Sequence, residues 1–175
     1  MGRDLNAADV VAETRAWLDA MVIGLNLCPF ARAARDAGQI RFVVSGAETS
    51  GALRADLVVE LRLLGTLDPA VTDTTLLIHP RVLGDFLDYN DFLGTADGAI
   101  AQLGLSGTFQ IASFHPRYQF AGEKPEDPAN RSNRSPYPML QLLREASVRR
   151  ALEGYPGDPA DIPRRNIERL RREAE

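Results

Sequence analysis

Both histidines of the 175-residue chain directly precede a proline, and each ends a run of mostly apolar residues. His79 follows the run TTLLI, and His115 follows the run TFQIASF. Ligands of open α/β sheets bind at the carboxyl ends of the strands, so parallel strands would bring both imidazoles to one edge. An imidazole titrates near neutral pH, which suits it to proton transfer or metal binding. The alternative is a pair of strand-end histidines that bond only to backbone.

Cys28 is the single cysteine of the chain and its strongest candidate nucleophile. Because proline is favoured in the first turn of a helix, the pattern predicts a short helix over Pro29–Asp36 with Cys28 near its N-cap. The unpaired N–H groups at such a position favour a thiolate. A thiolate beside an imidazole forms a nucleophile–base pair, so these residues predict an enzyme with a Cys–His site.

Each residue of this predicted site has a defined role. Cys28 would be the nucleophile or redox thiol, and His115 the general base. His79 would be a second polar group, and Asp88 or Asn90 would orient a histidine. Two alternatives remain open: Cys28 is a small buried hydrophobe, or Cys28, His79 and His115 bind a transition metal and leave one coordination position free.

The stretch Phe114–Pro138 has no sustained helical or strand period. Irregular segments longer than about 12–15 residues are uncommon in compact domains unless they are functional or disordered. Its aromatic residues argue against disorder, so we predict a binding loop over the site. The residues predicted to hold a substrate, in this loop and in two earlier segments, are Asn26, Tyr89, Asn90, Tyr118, Gln119, Asn133, Arg134, Ser135 and Tyr137.

Arg134 carries the most specific part of this prediction. A helix is predicted to begin after Ser135, and its N-terminus could hold an anionic group with the Arg134 guanidinium as a forked partner. The alternative is that Asn130, Asn133 and Ser135 only satisfy the loop backbone and cap the helix.

Periodicity predicts the elements that position these residues. Helices are predicted over residues 6–24, 50–65, 83–103, 139–152 and from 161 towards the C-terminus, besides the short helix after Cys28. Strands are predicted over 40–45, 74–79 and 108–114, with a short extra strand at 118–121. The alternation predicts an α/β fold with a small three-stranded or four-stranded sheet, parallel or mixed, packed with helices. We interpret the arginines of the last helix as a solvated face.

Composition restricts the function further. The net charge of −4 argues against a general nucleic-acid binder. No apolar run approaches the roughly 18 residues of a membrane helix, and Met1–Trp17 has acids where a signal peptide has bases. The single cysteine predicts a reducing, cytoplasmic location, and the length predicts one domain over residues 1–175. The sequence indicates neither a cofactor nor an oligomeric state.

Four stretches together resemble a known family. They are GLNLCPF from Gly24, LDYNDFL from Leu87, SFHPRYQFAG from Ser113 and NRSPYPM from Asn133. They are similar to the bacterial domain-of-unknown-function family numbered 1415, and the resemblance extends over nearly the whole chain. The resemblance implies a single domain and implies no mechanism.

Three hypotheses about function follow. The first is a cytoplasmic enzyme that acts on a small polar or anionic molecule beneath the Phe114–Pro138 loop. The second is a transition-metal-binding protein, and the third is a non-catalytic module that binds a ligand or a protein partner. No nucleic-acid or membrane partner is expected.

Overall fold

A four-stranded mixed sheet lies at the centre of the computed structural model, which describes residues 6–174. Its strands are β1 Ile40–Val44, β2 Thr74–Ile78, β3 Phe109–Phe114 and β4 Met139–Arg144, in the order β1-β2-β4-β3. β1 and β2 are parallel, and β4 is antiparallel to both β2 and β3. The prediction of an α/β fold with a small mixed sheet is confirmed. Residues 1–5 of the N-terminal stretch compared above with a signal peptide lie outside the described residues.

Helices cover both faces of the sheet. Among residues 6–174 they are α1 Ala7–Trp17, a π-helix Leu18–Ile23, α2 Ala31–Asp36, α3 Ser50–Thr66, α4 Phe86–Gln102, a 3-10 helix Pro128–Asn133, α5 Glu145–Glu153, a 3-10 helix Pro159–Asp161 and α6 Ile162–Arg172. Two of these helices begin at a side-chain cap: Asn6 accepts from the N–H of Ala8, and Thr49 accepts from the N–H of Ala52. Each cap satisfies an N–H that has no partner inside its helix. In this part of the chain no helix is long and apolar enough to cross a membrane.

The sheet separates two apolar layers because successive side chains of a strand point to opposite faces. On one face, Leu77 of β2 and Leu140 of β4 pack with residues of α3 and α4. On the other face, Ile78 and Met139 pack with Val10 of α1. Side chains in one layer therefore contact each other but are separated by the sheet from side chains in the other layer.

β4 is the main correction to the predicted elements. The chain from Met139 was predicted to be helical, but it forms the strand between β2 and β3, and α5 begins only at Glu145. Pairing with strands on both sides, and burial of Leu140 and Leu142 on one face and Met139 on the other, favour the strand over a local helical preference. Since β2 and β3 are both antiparallel to β4, they run in the same direction and end at the same edge of the sheet.

The short strand predicted at residues 118–121 is not formed. The N–H of Phe120 instead donates to Oδ1 of Asn130, a fully buried side chain. The amide nitrogen of Asn130 donates to the carbonyl oxygen of Lys124 at 2.7 Å. The Asn130 side chain thus bonds to backbone groups that would otherwise pair with a neighbouring strand, and it links two parts of the loop.

The first predicted helix, residues 6–24, is continuous but changes type after Trp17. There it becomes the π-helix, and the N–H of Gly24 bonds to the carbonyl oxygen of Asp19, five residues earlier, at 2.9 Å. Gly24 has no room for a side chain, because a Cβ there would lie 2.2 Å from the carbonyl oxygen of Ala20. π-Helices are rare and occur frequently at functional sites.

Candidate functional site

The two histidines meet around Tyr89 of α4. The ring centroid of Tyr89 lies 5.8 Å from that of His79 and 5.1 Å from that of His115. Phe86 packs against His115 and against Tyr118 of the long loop. The structure therefore brings His79, His115, Tyr89 and Tyr118 together at the edge where β2 and β3 end.

The hydrogen bonds of both imidazoles go to backbone. His115 accepts from the N–H of Arg117 at Nδ1 (3.0 Å), so its proton is on Nε2, which donates to the carbonyl oxygen of Leu83 (3.1 Å). His79 donates from Nδ1 to the carbonyl oxygen of Val82 (3.0 Å). His115 thus has no ring nitrogen free to act as a general base in this arrangement. The alternative of strand-end histidines bonded to backbone describes the geometry better.

Burial keeps this cluster neutral. Removal from water lowers the pKa of His79 from 6.5 to about 4 and also lowers the pKa of His115. His79 is fully buried, and its Nε2 has no partner among the described residues, so the nitrogen holds an unused lone pair. A charged imidazole at this position would have neither water nor a carboxylate to stabilise it.

Tyr89 has a structural role in the same cluster. Its hydroxyl donates to the carbonyl oxygen of Met139 (2.8 Å) and accepts from the N–H of Phe114 (2.9 Å). Phe114 and Met139 are paired residues of β3 and β4, so the hydroxyl links α4 to the end of that ladder. Burial raises the pKa of Tyr89, which keeps the hydroxyl protonated as a donor.

The cluster holds the turn between β2 and α4. Three consecutive carbonyl oxygens, those of Val82, Leu83 and Gly84, accept bonds from His79, from His115 and from Arg117 (2.7 Å) respectively. Leu83 has a φ of 58°, a left-handed conformation that costs a branched residue on the order of 1 kcal/mol or more. The three side chains thereby hold that strained turn in place.

Asp88 and Asn90 do not join the histidines. Both are exposed on α4, and Asp88 lines an open cleft of about 540 Å³ that also contains Asp91 and the start of α3. Among residues 6–174 neither histidine bonds to a carboxylate. Backbone carbonyls orient the imidazoles, a role that had been predicted for Asp88 or Asn90.

Cys28 lies in the opposite layer. It packs against a cluster of Leu18, Val22 and Ile23 together with Phe42 of β1. The sheet stands between this cluster and the histidines, so neither the Cys–His pair nor the metal set of Cys28, His79 and His115 is assembled. Within the described part of the chain no group of three or more His, Cys, Asp or Glu side chains could hold a metal ion.

The polar side chains predicted to hold a substrate in the long loop bond to the loop itself. Arg134 donates to the carbonyl oxygens of Tyr118 (2.9 Å) and Pro125 (2.6 Å). Gln119 donates to the carbonyl oxygen of Glu123 (2.7 Å). The Arg134 guanidinium therefore already serves as a brace for the loop.

The segment before β4 is built in the same way. Asn133 donates to the carbonyl oxygen of Ser113 (2.9 Å), and Ser135 donates to that of Tyr137 (2.6 Å). Tyr137 donates from its hydroxyl to Glu13 of α1 (2.6 Å). The helix whose N-terminus was predicted to hold an anion here is not formed, because strand β4 follows instead.

A pocket was missed by the sequence-based prediction, and it lies elsewhere, between α6 and the segment that follows the π-helix. Its volume is about 140 Å³, and we call it the α6 pocket. Its walls are formed by Asn26, Pro29, Tyr155, Ile162, Arg165, Asn166, Glu168, Arg169 and Arg172. Of the predicted site residues, Asn26 lies here, and Cys28 lies in the same segment.

Two side chains of α6 fix the floor of this pocket. Asn166 donates to the carbonyl oxygen of Leu27 (2.7 Å), and Arg169 donates to that of Leu25 (2.6 Å). Between these carbonyls, Asn26 has a φ of 51°, a left-handed conformation that asparagine tolerates better than most residues. Carbonyls left open at the end of the π-helix are thereby satisfied by a distant helix.

The arginines of α6 fall into two groups. Arg164 pairs with Asp161 and Glu168, and Arg171 pairs with Glu123 and Asp127. The three arginines of the pocket wall are different, because none has an ion pair with a carboxylate anywhere in residues 6–174. Arg165 bonds to the neutral hydroxyl of Tyr155, and Arg169 to a neutral carbonyl.

A signal for this pocket was present in the sequence. Arg165, Arg169 and Arg172 are spaced four and then three residues apart, which places them on one helix face. Interpretation of the last helix as a solvated face fits Arg164 and Arg171, which are paired on the protein surface. It also fits Arg165 and Arg172, which are exposed, whereas Arg169 is partly buried and bonds to the carbonyl oxygen of Leu25.

Together these features define an α/β protein with a four-stranded mixed sheet, a neutral histidine–tyrosine cluster at one edge and an arginine-lined pocket beside α6. The chain belongs to the protein family of unknown function DUF1415, whose model matches residues 9–175. The resemblance seen in the sequence is confirmed. No curated protein and no solved structure matches the chain.

Proposed function

We propose that the protein binds a small anionic molecule in the α6 pocket. The observation that carries this proposal is the charge of the wall: Arg165, Arg169 and Arg172 line one small cavity without a carboxylate partner. The chain as a whole carries a net charge of −4, so a local excess of unpaired cations is not a consequence of composition. Guanidinium groups form paired, directional hydrogen bonds to carboxylates and phosphates, which makes them suitable ligands for such a molecule.

Rigidity of the floor supports the same proposal. The π-helix, the crowded Gly24 and the left-handed Asn26 follow each other directly, and each is uncommon or energetically costly. The bonds from Asn166 and Arg169 hold this segment in place before any ligand arrives. A preformed site binds more tightly because less conformational entropy is lost on binding.

Cys28 contributes to this site through its backbone position. Its neighbours Leu27 and Pro29 form part of the floor and the wall, while its side chain packs in the apolar cluster beneath. The proposal therefore assigns the segment to ligand binding and gives the thiol no covalent step. A small anionic molecule was also the predicted partner, but beneath the long loop instead of beside α6.

Calorimetric titration tests the proposal. The wild-type protein is titrated with sodium sulfate, sodium phosphate and sodium malonate at fixed ionic strength, with sodium chloride as the reference. We expect saturable binding of at least one of the three, and Arg172→Ala should weaken that binding by about tenfold or more, because a charge-assisted hydrogen bond is lost.

Arg171→Ala is the matched control, since Arg171 is on the same helix but its charge is already neutralised by Glu123 and Asp127, which lie outside the pocket wall. This variant should bind as the wild type does. Equal affinities of wild type and Arg172→Ala, or the absence of any saturable binding, would contradict the proposal.

A further inference from the structure

The ligand class can be narrowed from the wall of the α6 pocket, and this step rests on the function proposed above. We infer that the bound group is a phosphoryl dianion, as in a small phosphomonoester or inorganic phosphate. Three arginines and Glu168 give the wall a formal charge of +2. A monocarboxylate would leave half of that charge unbalanced, whereas a dianion balances it.

The position of Glu168 strengthens the case for a doubly charged group. Its carboxylate is 3.2 Å from Nη1 of Arg164, outside the pocket wall, so its negative charge is already shared with a cation. The positive charge that a ligand experiences is therefore at least that of the formal count. A weakly charged or neutral ligand would leave the guanidinium groups poorly compensated when it displaced their water.

The arrangement of donors fits a tetrahedral group. Arg165, Arg169 and Arg172 stand along one face of α6, and Asn26 faces them from the segment after the π-helix. A guanidinium has five N–H donors, so Arg169 keeps donors for a ligand after the bond to Leu25. Donors that approach from two elements can bond to different oxygens of one phosphoryl group, and a flat carboxylate offers only two oxygens.

The rest of the wall limits the size of the ligand and its organic part. Pro29 and Ile162 supply apolar surface, and the ring of Tyr155 packs edge-on against Phe30 with centroids 6.1 Å apart. A cavity of about 140 Å³ accommodates a phosphoryl group with a few carbon atoms. A small phosphomonoester uses both the cationic and the apolar parts of the wall, whereas inorganic phosphate uses only the first.

The test is a pH-dependent titration of the whole chain with methyl phosphate, inorganic phosphate, sulfate and malonate. The second ionisation of a phosphomonoester has a pKa near 6, so affinity for methyl phosphate should rise roughly fourfold from pH 5.5 to pH 7.5 as the dianion forms. Sulfate is a dianion throughout this range, so its affinity should stay constant and serves as the control for changes in the protein itself. A higher affinity for methyl phosphate than for inorganic phosphate identifies an ester as the ligand, and the reverse order identifies the free ion.

Two variants distinguish the assignment of a phosphoryl ligand from the broader proposal that the α6 pocket binds an anion. Arg172→Ala should lower the affinity for methyl phosphate by about tenfold or more, and Arg171→Ala, whose partners Glu123 and Asp127 lie outside the pocket wall, should leave it unchanged. Tighter binding of malonate than of methyl phosphate, with the same response to Arg172→Ala, would overturn the phosphoryl assignment and leave the anion pocket intact. If none of the four anions binds to the wild type, the pocket and the ligand class are both refuted.

Discussion

Nη1 of Arg169 donates a hydrogen bond to the carbonyl oxygen of Leu25 at 2.6 Å, across 144 residues of sequence. The bond joins the last described helix to the end of the π-helix near the start of the chain. It leaves the remaining guanidinium donors in the α6 pocket, so Arg169 both positions the pocket floor and contributes to its charge.

Replacement of Arg169 should therefore reduce stability as well as ligand binding. Arg169→Leu removes the donor and leaves the half-buried carbonyl of Leu25 without a partner, which costs about 1–3 kcal/mol. Urea unfolding followed by circular dichroism measures this cost. Arg164→Leu is the control, because its surface ion pairs contribute at most about 1 kcal/mol; equal losses in both variants would show that the Leu25 bond has no special role.

The hydroxyl of Tyr89 gives a second prediction. Tyr89→Phe keeps the ring between the two histidines but removes the group that bonds to Met139 and Phe114. Loss of two buried hydrogen bonds should lower the free energy of unfolding by about 2–3 kcal/mol. Tyr118→Phe, which loses only a 3.3 Å contact with Ser113, should cost less than about 1 kcal/mol. A cost for Tyr89→Phe as small as that of Tyr118→Phe would argue against the bridging role.

The buried imidazoles predict a loss of stability in acid. Between pH 6.5 and about 4 the unfolded chain takes up a proton at His79 while the folded protein does not, so acidification favours unfolding. A pKa of about 4 in place of 6.5 corresponds to a loss of up to about 3 kcal/mol across this range. The lowered pKa of His115 acts in the same direction.

His79→Asn isolates this contribution, because asparagine does not titrate and its amide can still donate to the carbonyl oxygen of Val82. Unfolding free energies measured from pH 8 to pH 4 should fall less steeply for the variant than for the wild type. Parallel curves would mean that the pKa of His79 is not lowered in the folded protein. Carboxylates elsewhere in the chain affect both proteins equally and cancel in the comparison.

Alanine at Gly24 is predicted to destabilise the protein, whereas alanine at the control position Gly94 is predicted to stabilise it. Gly24→Ala would place a methyl group 2.2 Å from the carbonyl oxygen of Ala20, so the π-helix or the segment after it must shift. We expect a loss of stability of more than about 1 kcal/mol together with weaker anion binding. Gly94→Ala on α4 meets no atom within 4 Å and should stabilise the protein by about 0.5–1 kcal/mol. A neutral Gly24→Ala would show that the segment adapts easily.

The position of both histidines at one edge of the sheet was predictable from the sequence, because the pattern that indicates it is local. A histidine and a proline after each of two apolar runs indicate two strand ends, and the conclusion survives although β4 lies between β2 and β3. The roles of His115 and Asp88 were not predictable, because they depend on which backbone groups reach each ring nitrogen. The sequence around a histidine is the same whether its ring nitrogen bonds to a catalytic group or, as in His115, to the carbonyl oxygen of Leu83.

Cys28 and Met139 mark the limits of such reasoning. The pattern around Cys28 predicts a short helix correctly but does not reveal on which face of the sheet that helix lies. The run from Met139 satisfies both helical and strand preferences, and pairing with β2 and β3 decides between them. The single domain and the cytoplasmic location stay predictions.

The position of α6 has a consequence for the order in which the chain acquires its structure. The carbonyls of Leu25 and Leu27 receive their partners from residues that are synthesised 144 and 139 positions later. During translation the segment around Asn26 must wait, incompletely bonded, until nearly all the other described elements have left the ribosome. Contacts of such wide sequence separation form slowly, so the docking of α6 should be a late folding event that completes the pocket.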